Sequence, residues 1–269
     1  MPRTRPEESN VTIATTQRVA LVTGANRGIG REVARQLAEA GLAVVVGSRD
    51  LAAGERAAAD IQAELEAQGH RDLTIGAVRI DVASRDDEPG NAHAAADVVR
   101  KQFGRLDILI NNAGRMVEVL PPDITGKHLE AAFSTNVAGT AETIHAFLPL
   151  LKEADAPRIV NVSSTTASLL LTTQDKDFGG DHSVRAPYST SKAALNMLTL
   201  HYNKAFQADE SLRHIKINAI TPGYVATDMN HGLGNRTVEQ GARALVTLAL
   251  KGDDSPTGGY FNEDGPLPW

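Results

Sequence analysis

Thr23-Gly24-Ala25-Asn26-Arg27-Gly28-Ile29-Gly30 follows directly on the apolar run Val19-Ala20-Leu21-Val22 and leads at once into a helical stretch over residues 31–40. A short apolar run bounded by turn residues reads as a buried strand. The glycines let backbone approach a ligand closely, and a helix beginning there offers free N–H groups and a partial positive charge. A phosphate group needs that combination at the first strand-to-helix turn of an α/β sheet. A tight turn between strand and helix also needs glycines, so the rest of the chain has to decide.

Similar runs recur at Ala43-Val44-Val45-Val46 and over residues 75–80, 106–110, 158–162 and 215–220, each closed by Gly, Asn or Asp. Helical stretches lie between them, over residues 32–40, 51–68, 92–103, 128–151, 188–206 and 238–250. Strand alternating with helix implies βαβ crossovers, hence an α/β fold with a doubly wound parallel sheet flanked by helices on both faces. Gly259-Tyr260-Phe261 is expected to add an edge strand. No linker divides the chain, so residues 18–269 read as one domain behind a loose polar tail, residues 1–17, that has no apolar core of a signal peptide. Two long polar stretches, 165–187 with its turn signal Phe178-Gly179-Gly180-Asp181, and 224–237, follow strands and are expected to wall the ligand crevice.

The 269 residues carry 27 Lys+Arg against 33 Asp+Glu, a formal charge of −6, and no basic block, which argues against nucleic acid or an anionic membrane as partner. With no cysteine there is no disulfide, thiolate metal site or Cys nucleophile, and redox chemistry needs a cofactor. Eighteen apolar residues never run together, so no membrane helix is expected, and a cytoplasmic location follows by default. The eight histidines show no zinc-helix pairing, so no metal is expected, and His145 and His201 read as ordinary histidines.

At the end of the second strand an acidic side chain would bind a ribose 2′-hydroxyl and a basic one a 2′-phosphate. Here stand Gly47-Ser48-Arg49, while Asp50 is placed to cap the next helix. Arg27 and Arg49 converging on one phosphate, at roughly 1.5–3 kcal/mol for each charge-assisted hydrogen bond, would favour NADP(H) over NAD(H) by about a hundredfold or more. Further on, Tyr188 and Lys192 share one helical face, and a nearby ammonium lowers a phenol's pKa, which suits Tyr188 to general acid work.

The Gly turn, Asn111-Asn112-Ala113-Gly114, the strand-end serine and the Tyr188/Lys192 pair, in this order over residues 18–261, resemble the short-chain dehydrogenase/reductase family. The resemblance implies a Rossmann-type fold and hydride transfer between a nicotinamide and a carbonyl or alcohol. It further implies that Gly24, Asn26, Arg27, Gly28, Ile29, Gly30, Ser48 and Arg49 hold the dinucleotide, that Asp81 and Val82 meet the adenine, and that Asn112, Ala113 and Gly114 pack on the adenosine ribose. Pro222, Gly223, Val225 and Thr227 are matched to the segment that clasps the nicotinamide carboxamide. Asn136 corresponds to the asparagine holding a relay water, Ser164, the second of the pair Ser163-Ser164, to the serine that orients the carbonyl, Tyr188 to the acid and Lys192 to the lysine that lowers its pKa and grips the nicotinamide ribose.

Ser164 and Tyr188 are 24 residues apart, about twice the spacing in many members. That enlargement, with the ending Thr257-Gly258-Gly259-Tyr260-Phe261-Asn262-Glu263-Asp264-Gly265, is similar to the carbonyl reductase-like branch, which reduces ketones, aldehydes and quinones with NADPH. The insertion lies beside the helices through which the family dimerises, leaving monomer and homodimer both open. Tyr224 and Trp269 are candidate aromatics for the substrate wall. The alternatives are an alcohol dehydrogenase acting on a steroid, sugar or polyketide-like substrate, and a non-catalytic NADP sensor, which would not need Tyr188 and Lys192. A methyltransferase would likewise use a Gly turn but has no call for the Ser164, Tyr188 and Lys192 set.

Overall fold

Alternating side chains on the first strand settle where the two halves of the core go. In the computed structural model, which describes residues 17–84, 88, 90–176, 183–252 and 254–269, β1 (Val19–Thr23) has every residue buried. Ala20 and Val22 join one apolar cluster, and Val19 and Leu21 join the other on the opposite face. A strand buried on both faces reads as a continuous apolar run, because neither side meets water.

Helix α1 (Gly28–Glu39) returns the chain to β2 (Ala43–Ser48), and α2 (Leu51–Ala67) to β3 (Ile75–Arg79). Then follow α3 (Ala92–Phe103) and β4 (Ile108–Asn111), α4 (Gly126–Phe133) and α5 (Gly139–Lys152), and β5 (Arg158–Val162). The chain ends with α6 (Leu169–Thr173), α7 (Ala186–Ala208), β6 (Lys216–Ile220), α8 (Val238–Leu250), β7 (Tyr260–Asn262) and β8 (Gly265–Pro266). The strands make one sheet in the order β3-β2-β1-β4-β5-β6-β7-β8, parallel except for the β7/β8 pair. The expected doubly wound α/β sheet is therefore present. The order reverses between β1 and β4, and the crevice of such a sheet opens beyond the strand ends at that point.

Helix boundaries follow local chemistry. Asp50 caps α2 by accepting from the Ala53 amide at 3.2 Å, and Asn91 caps α3 by accepting from Ala94 at 2.8 Å, each satisfying an amide that would otherwise lack a partner. Gly104, at φ 71°, ends α3 in the left-handed conformation. The single helix expected over 128–151 is two helices, α4 and α5, joined by a π-helical turn, Ser134–Ala138. The stretch expected to be loop over 165–187 contains a 3₁₀ turn at Thr165–Ala167, the helix α6 and a second 3₁₀ turn at Ser183–Arg185. Tail residues 1–16 and the turn signal at 178–181 lie outside the described residues.

Candidate active site

The Gly turn and the strand end beside it are sewn together by hydrogen bonds. Thr23 Oγ1 accepts from the amides of Asn112 at 3.1 Å and Ala113 at 3.0 Å, and Asn112 Nδ2 donates to the carbonyls of Thr23 at 2.9 Å and Gly24 at 3.2 Å. Asn112 therefore braces the turn through its side chain, alongside the ribose role expected of that segment. Helix α1 begins with no side-chain cap at Arg27, which leaves its first-turn amides for a ligand. Gly28 has φ +57°, and a Cβ built there would meet nothing nearer than Thr227 Cγ2 at 4.0 Å, so the turn carries an open cradle suited to a phosphate.

At the end of β2, Ser48 is buried and Arg49 exposed, with no acidic side chain at either position. Asp50 is engaged as the α2 cap. Arg27 Nη1 donates to Asp228 Oδ2 at 2.8 Å, tying the Gly turn to the segment after β6, and both partners are largely exposed. The carboxylate of Asp81 accepts from the Ala83 amide at 3.1 Å and so forms a turn. The Val82 carbonyl lies against Gly139, where a Cβ would come within 2.5 Å of it, so the start of α5 packs directly on this strand end.

The catalytic candidates come together from three elements. Asn136 sits, fully buried, in the π turn between α4 and α5, and that local break explains how an asparagine is tolerated inside a helix: its amide is aimed at partners outside the helix. Its Oδ1 accepts from the Arg115 amide at 2.7 Å, and its Nδ2 donates to the Arg115 carbonyl at 3.0 Å and to Ser191 Oγ at 2.8 Å. Ser191 in turn donates to the Tyr188 carbonyl at 2.6 Å, which fixes the first turns of α7. Lys192 Nζ donates to the Val162 carbonyl at 2.7 Å and lies 5.7 Å from the centre of the Tyr188 ring. Gly114 faces both groups: a Cβ there would lie 3.5 Å from Asn136 Oδ1 and 3.6 Å from Lys192 Nζ.

The two serines differ in their partners. Ser163 Oγ donates to Asn196 Oδ1 at 2.6 Å inside the protein, whereas Ser164 Oγ lies 3.1 Å from Thr166 Oγ1 and near enough to Tyr188 to favour its ionised form. That geometry favours Ser164 as the one that meets a substrate. The Ser164 carbonyl accepts from the hydroxyl of buried Tyr260 at 2.5 Å. Ser164, Tyr188, Pro222, Gly223, Val225 and Thr227 all line one pocket, together with Ile29 of the Gly turn. Thr227 is fixed by a capping box with Asn230, and Asn230 Nδ2 donates to the Val225 carbonyl at 2.9 Å.

Burial dominates the electrostatics. Contrary to the lowering expected from Lys192, it pushes the Tyr188 hydroxyl up to about 12, opposed by the Ser164 side chain and the positive charge of Arg185 and not by Lys192, whose own ammonium burial lowers to about 8. The sign of the pH dependence follows. Between pH 8 and 10.5 unfolded Lys192 holds a proton that folded Lys192 has released, so its burial cost is fully present below pH 8 and fades as pH rises to 10.5. Tyr188 acts oppositely: its contribution is fully present below pH 10 and is lost as pH rises to about 12. Lys192→Met is expected to stabilise the chain by about 2 kcal/mol near pH 7, after allowance for the lost bond to Val162, and by little near pH 10.5. Denaturant midpoints of both proteins at the two pH values check this, and a difference that does not change with pH would refute it.

The two stretches expected to wall the crevice do line this pocket, through Thr166 and Arg185 from the first and Tyr224 and Met229 from the second, while Met116 and the supporting Tyr260 were not anticipated. Arg185 had a legible signal, one helical turn ahead of Tyr188, but Tyr260 reaches Ser164 across 96 residues of sequence and had none. Of the two expected aromatics, Tyr224 lines the pocket, whereas Trp269 stacks on Tyr260 with ring centres 5.4 Å apart.

Residues 18–237 match the family model described as short chain dehydrogenase. Salutaridine reductase of Papaver bracteatum is 30% identical, over 97% of this chain and 98% of that protein. The (+)-neomenthol dehydrogenase of Arabidopsis thaliana is 33% identical, over 92% and 96%. Among solved structures, the NADPH-bound carbonyl reductase from chicken fatty liver superposes with a TM-score of 0.77 at 28% identity, covering 95% of this chain and all of that one.

Proposed function

Because the chain belongs to the short-chain dehydrogenase family of oxidoreductases, we propose that it reduces the carbonyl of a ketone, aldehyde or quinone with NADPH, alcohol oxidation being the reverse on the same groups. The observation that carries this reading is that the hydroxyl-bearing side chains of Ser164 and Tyr188 share the wall of one pocket, with the Lys192 ammonium 5.7 Å from the centre of the tyrosine ring. Held by the turn over residues 24–30, by residues 112–114 and by the segment over residues 222–227, a reduced nicotinamide would supply hydride to the carbonyl carbon.

The remaining chemistry belongs to this chain. Ser164 and Tyr188 present two donors to the carbonyl oxygen, and their stabilisation grows as negative charge builds there. Tyr188 then gives its proton to that oxygen. Because burial holds Tyr188 as the neutral phenol throughout neutral pH, the donor form is always available for reduction. Lys192 and Asn136 stand behind it, on the side of Gly114, as the route by which a proton returns. Names such as salutaridine reductase and carbonyl reductase support the reductive direction.

The preference for NADPH rests on Arg49 and on the lack of an acid at the end of β2. Arg27 contributes to a lesser extent, since it already shares Asp228. Arg49→Ala is expected to weaken NADPH binding by about 10–100-fold, the worth of one charge-assisted hydrogen bond, and to leave NADH binding unchanged. Fluorescence titration with both cofactors reads this directly; equal affinities in the wild type would overturn the preference. Nicotinamide absorbance, followed with NADPH and a panel of ketones, aldehydes and quinones, tests the reductase reading itself, which fails if no carbonyl accelerates oxidation.

A further inference from the structure

Among the described residues lining the pocket, one carries a formal charge, Arg185. It ends the 3₁₀ turn that feeds directly into α7, three residues before Tyr188, and stands at the N-cap of the helix that carries the tyrosine. A hydrogen bond of 2.6 Å from the Val119 amide to the Val184 carbonyl zips this turn to the segment after β4, which contributes Met116 to the pocket and brings Glu118 beside Arg185.

A guanidinium has five N–H donors and keeps its charge at every accessible pH. Arg35 shows how such a group is satisfied at 16% exposure: four contacts of 2.9–3.2 Å to Glu32 and Glu39. Arg105 similarly places two donors on Asp107, at 2.9 and 2.5 Å. Arg185 is as buried, at 15% exposure, yet among the described residues its contact with a carboxylate is one from Nε to Glu118 at 3.4 Å, long for a charge-assisted bond. Among the described residues it also lies over the ring of Tyr224, 5.4 Å from the ring centre. Glu118 is 41% exposed, so water screens the pair. A desolvated cation engaged so sparingly has donors to offer an oxygen entering the pocket.

We propose that Arg185 sets the substrate preference of this site by holding a second oxygen acceptor, a carboxylate or a second carbonyl, that the substrate carries beside the reacting carbonyl. The proposal rests on the reductase reading of Ser164 and Tyr188. Met116, Tyr224 and Met229 give the body of such a substrate apolar and aromatic surface, and Arg185 holds the one end that is polar.

Three substrates of matched size separate the cases: phenylglyoxylate carries the carboxylate, 1-phenyl-1,2-propanedione the second carbonyl, and acetophenone neither. The wild type is expected to favour the first two over acetophenone in kcat/KM by about 10–100-fold. Arg185→Met is expected to collapse that ratio while changing the acetophenone rate only a few-fold, and Arg185→Lys to restore part of it. Glu118→Gln removes the competing carboxylate and is expected to raise the preference for phenylglyoxylate, so it decides the matter should Arg185→Met fail to fold. Calorimetric titration of the chain with phenylglyoxylate and acetophenone, without nicotinamide, gives a readout independent of turnover. Ratios and affinities that neither variant shifts overturn the proposal and leave the reductase reading intact. Carboxylate binding lost in Arg185→Met, with no carbonyl turned over by the wild type, overturns the reductase reading instead.

Discussion

Replacing Tyr188 with phenylalanine is expected to lower kcat for carbonyl reduction by about 10²–10⁴-fold, with NADPH affinity within about threefold of the wild type. The substitution keeps the ring, and with it the packing against Lys192 Nζ, and removes just the hydroxyl. Ser164 retains its neighbour Thr166 at 3.1 Å and the support of Tyr260, so one donor to the carbonyl oxygen remains in place. What disappears is the proton, which is needed as negative charge develops, and a loss confined to that moment lowers kcat and kcat/KM together with little change in KM. Steady-state kinetics with a tight-binding check by fluorescence separates this from a folding defect. A variant that turns over at near wild-type rate removes Tyr188 from the mechanism and, with it, the reading of the whole pocket.

The surviving framework of the site was readable because it depends on local chemistry. A strand, a glycine turn and a helix in immediate succession specify a cradle from their own backbone, and Asp50 one residue ahead of Leu51 is recognisable as a cap without knowledge of anything distant. Tyr188 and Lys192 are one helical turn apart, so their shared face follows from helix geometry. The unread parts are those that distant segments create. Asn136 lies in a π turn because its amide finds Arg115 and Ser191 across the fold, and a hydrophobic pattern running smoothly through residues 128–151 does not register the extra residue in that turn. Arg27 is a free cation in the sequence but meets Asp228, 201 positions later, in the structure. The choice of Ser164 over Ser163 came from the resemblance, and its physical reason, Asn196 taking the first hydroxyl, lies in a distant segment.

Gly30→Ala is the substitution expected to do most damage with the fewest atoms. A Cβ at Gly30 would lie 2.5 Å from the Gly24 carbonyl oxygen and against Asn112 Nδ2, the group that pins the turn to the end of β4. Neither neighbour can yield cheaply: the first is backbone in the turn itself, and moving the second breaks two hydrogen bonds to Thr23 and Gly24. Overpacking of this kind costs about 1–3 kcal/mol, which for a chain of this size lowers Tm by roughly 3–10 °C. Because the displaced atoms shape the cradle at the start of α1, NADPH affinity should fall by at least about tenfold, a larger loss than the stability cost alone implies. Gly126→Ala is the matched control: at the first turn of α4 its Cβ would meet no atom within 4 Å, and relief of unfolded-state entropy makes it neutral or slightly stabilising. Thermal melts of the two variants, with and without NADPH, decide the point. A Gly30→Ala protein that melts and binds like the Gly126→Ala protein would mean that the turn is looser than its contacts require, and that its glycines serve the strand-to-helix connection rather than the dinucleotide.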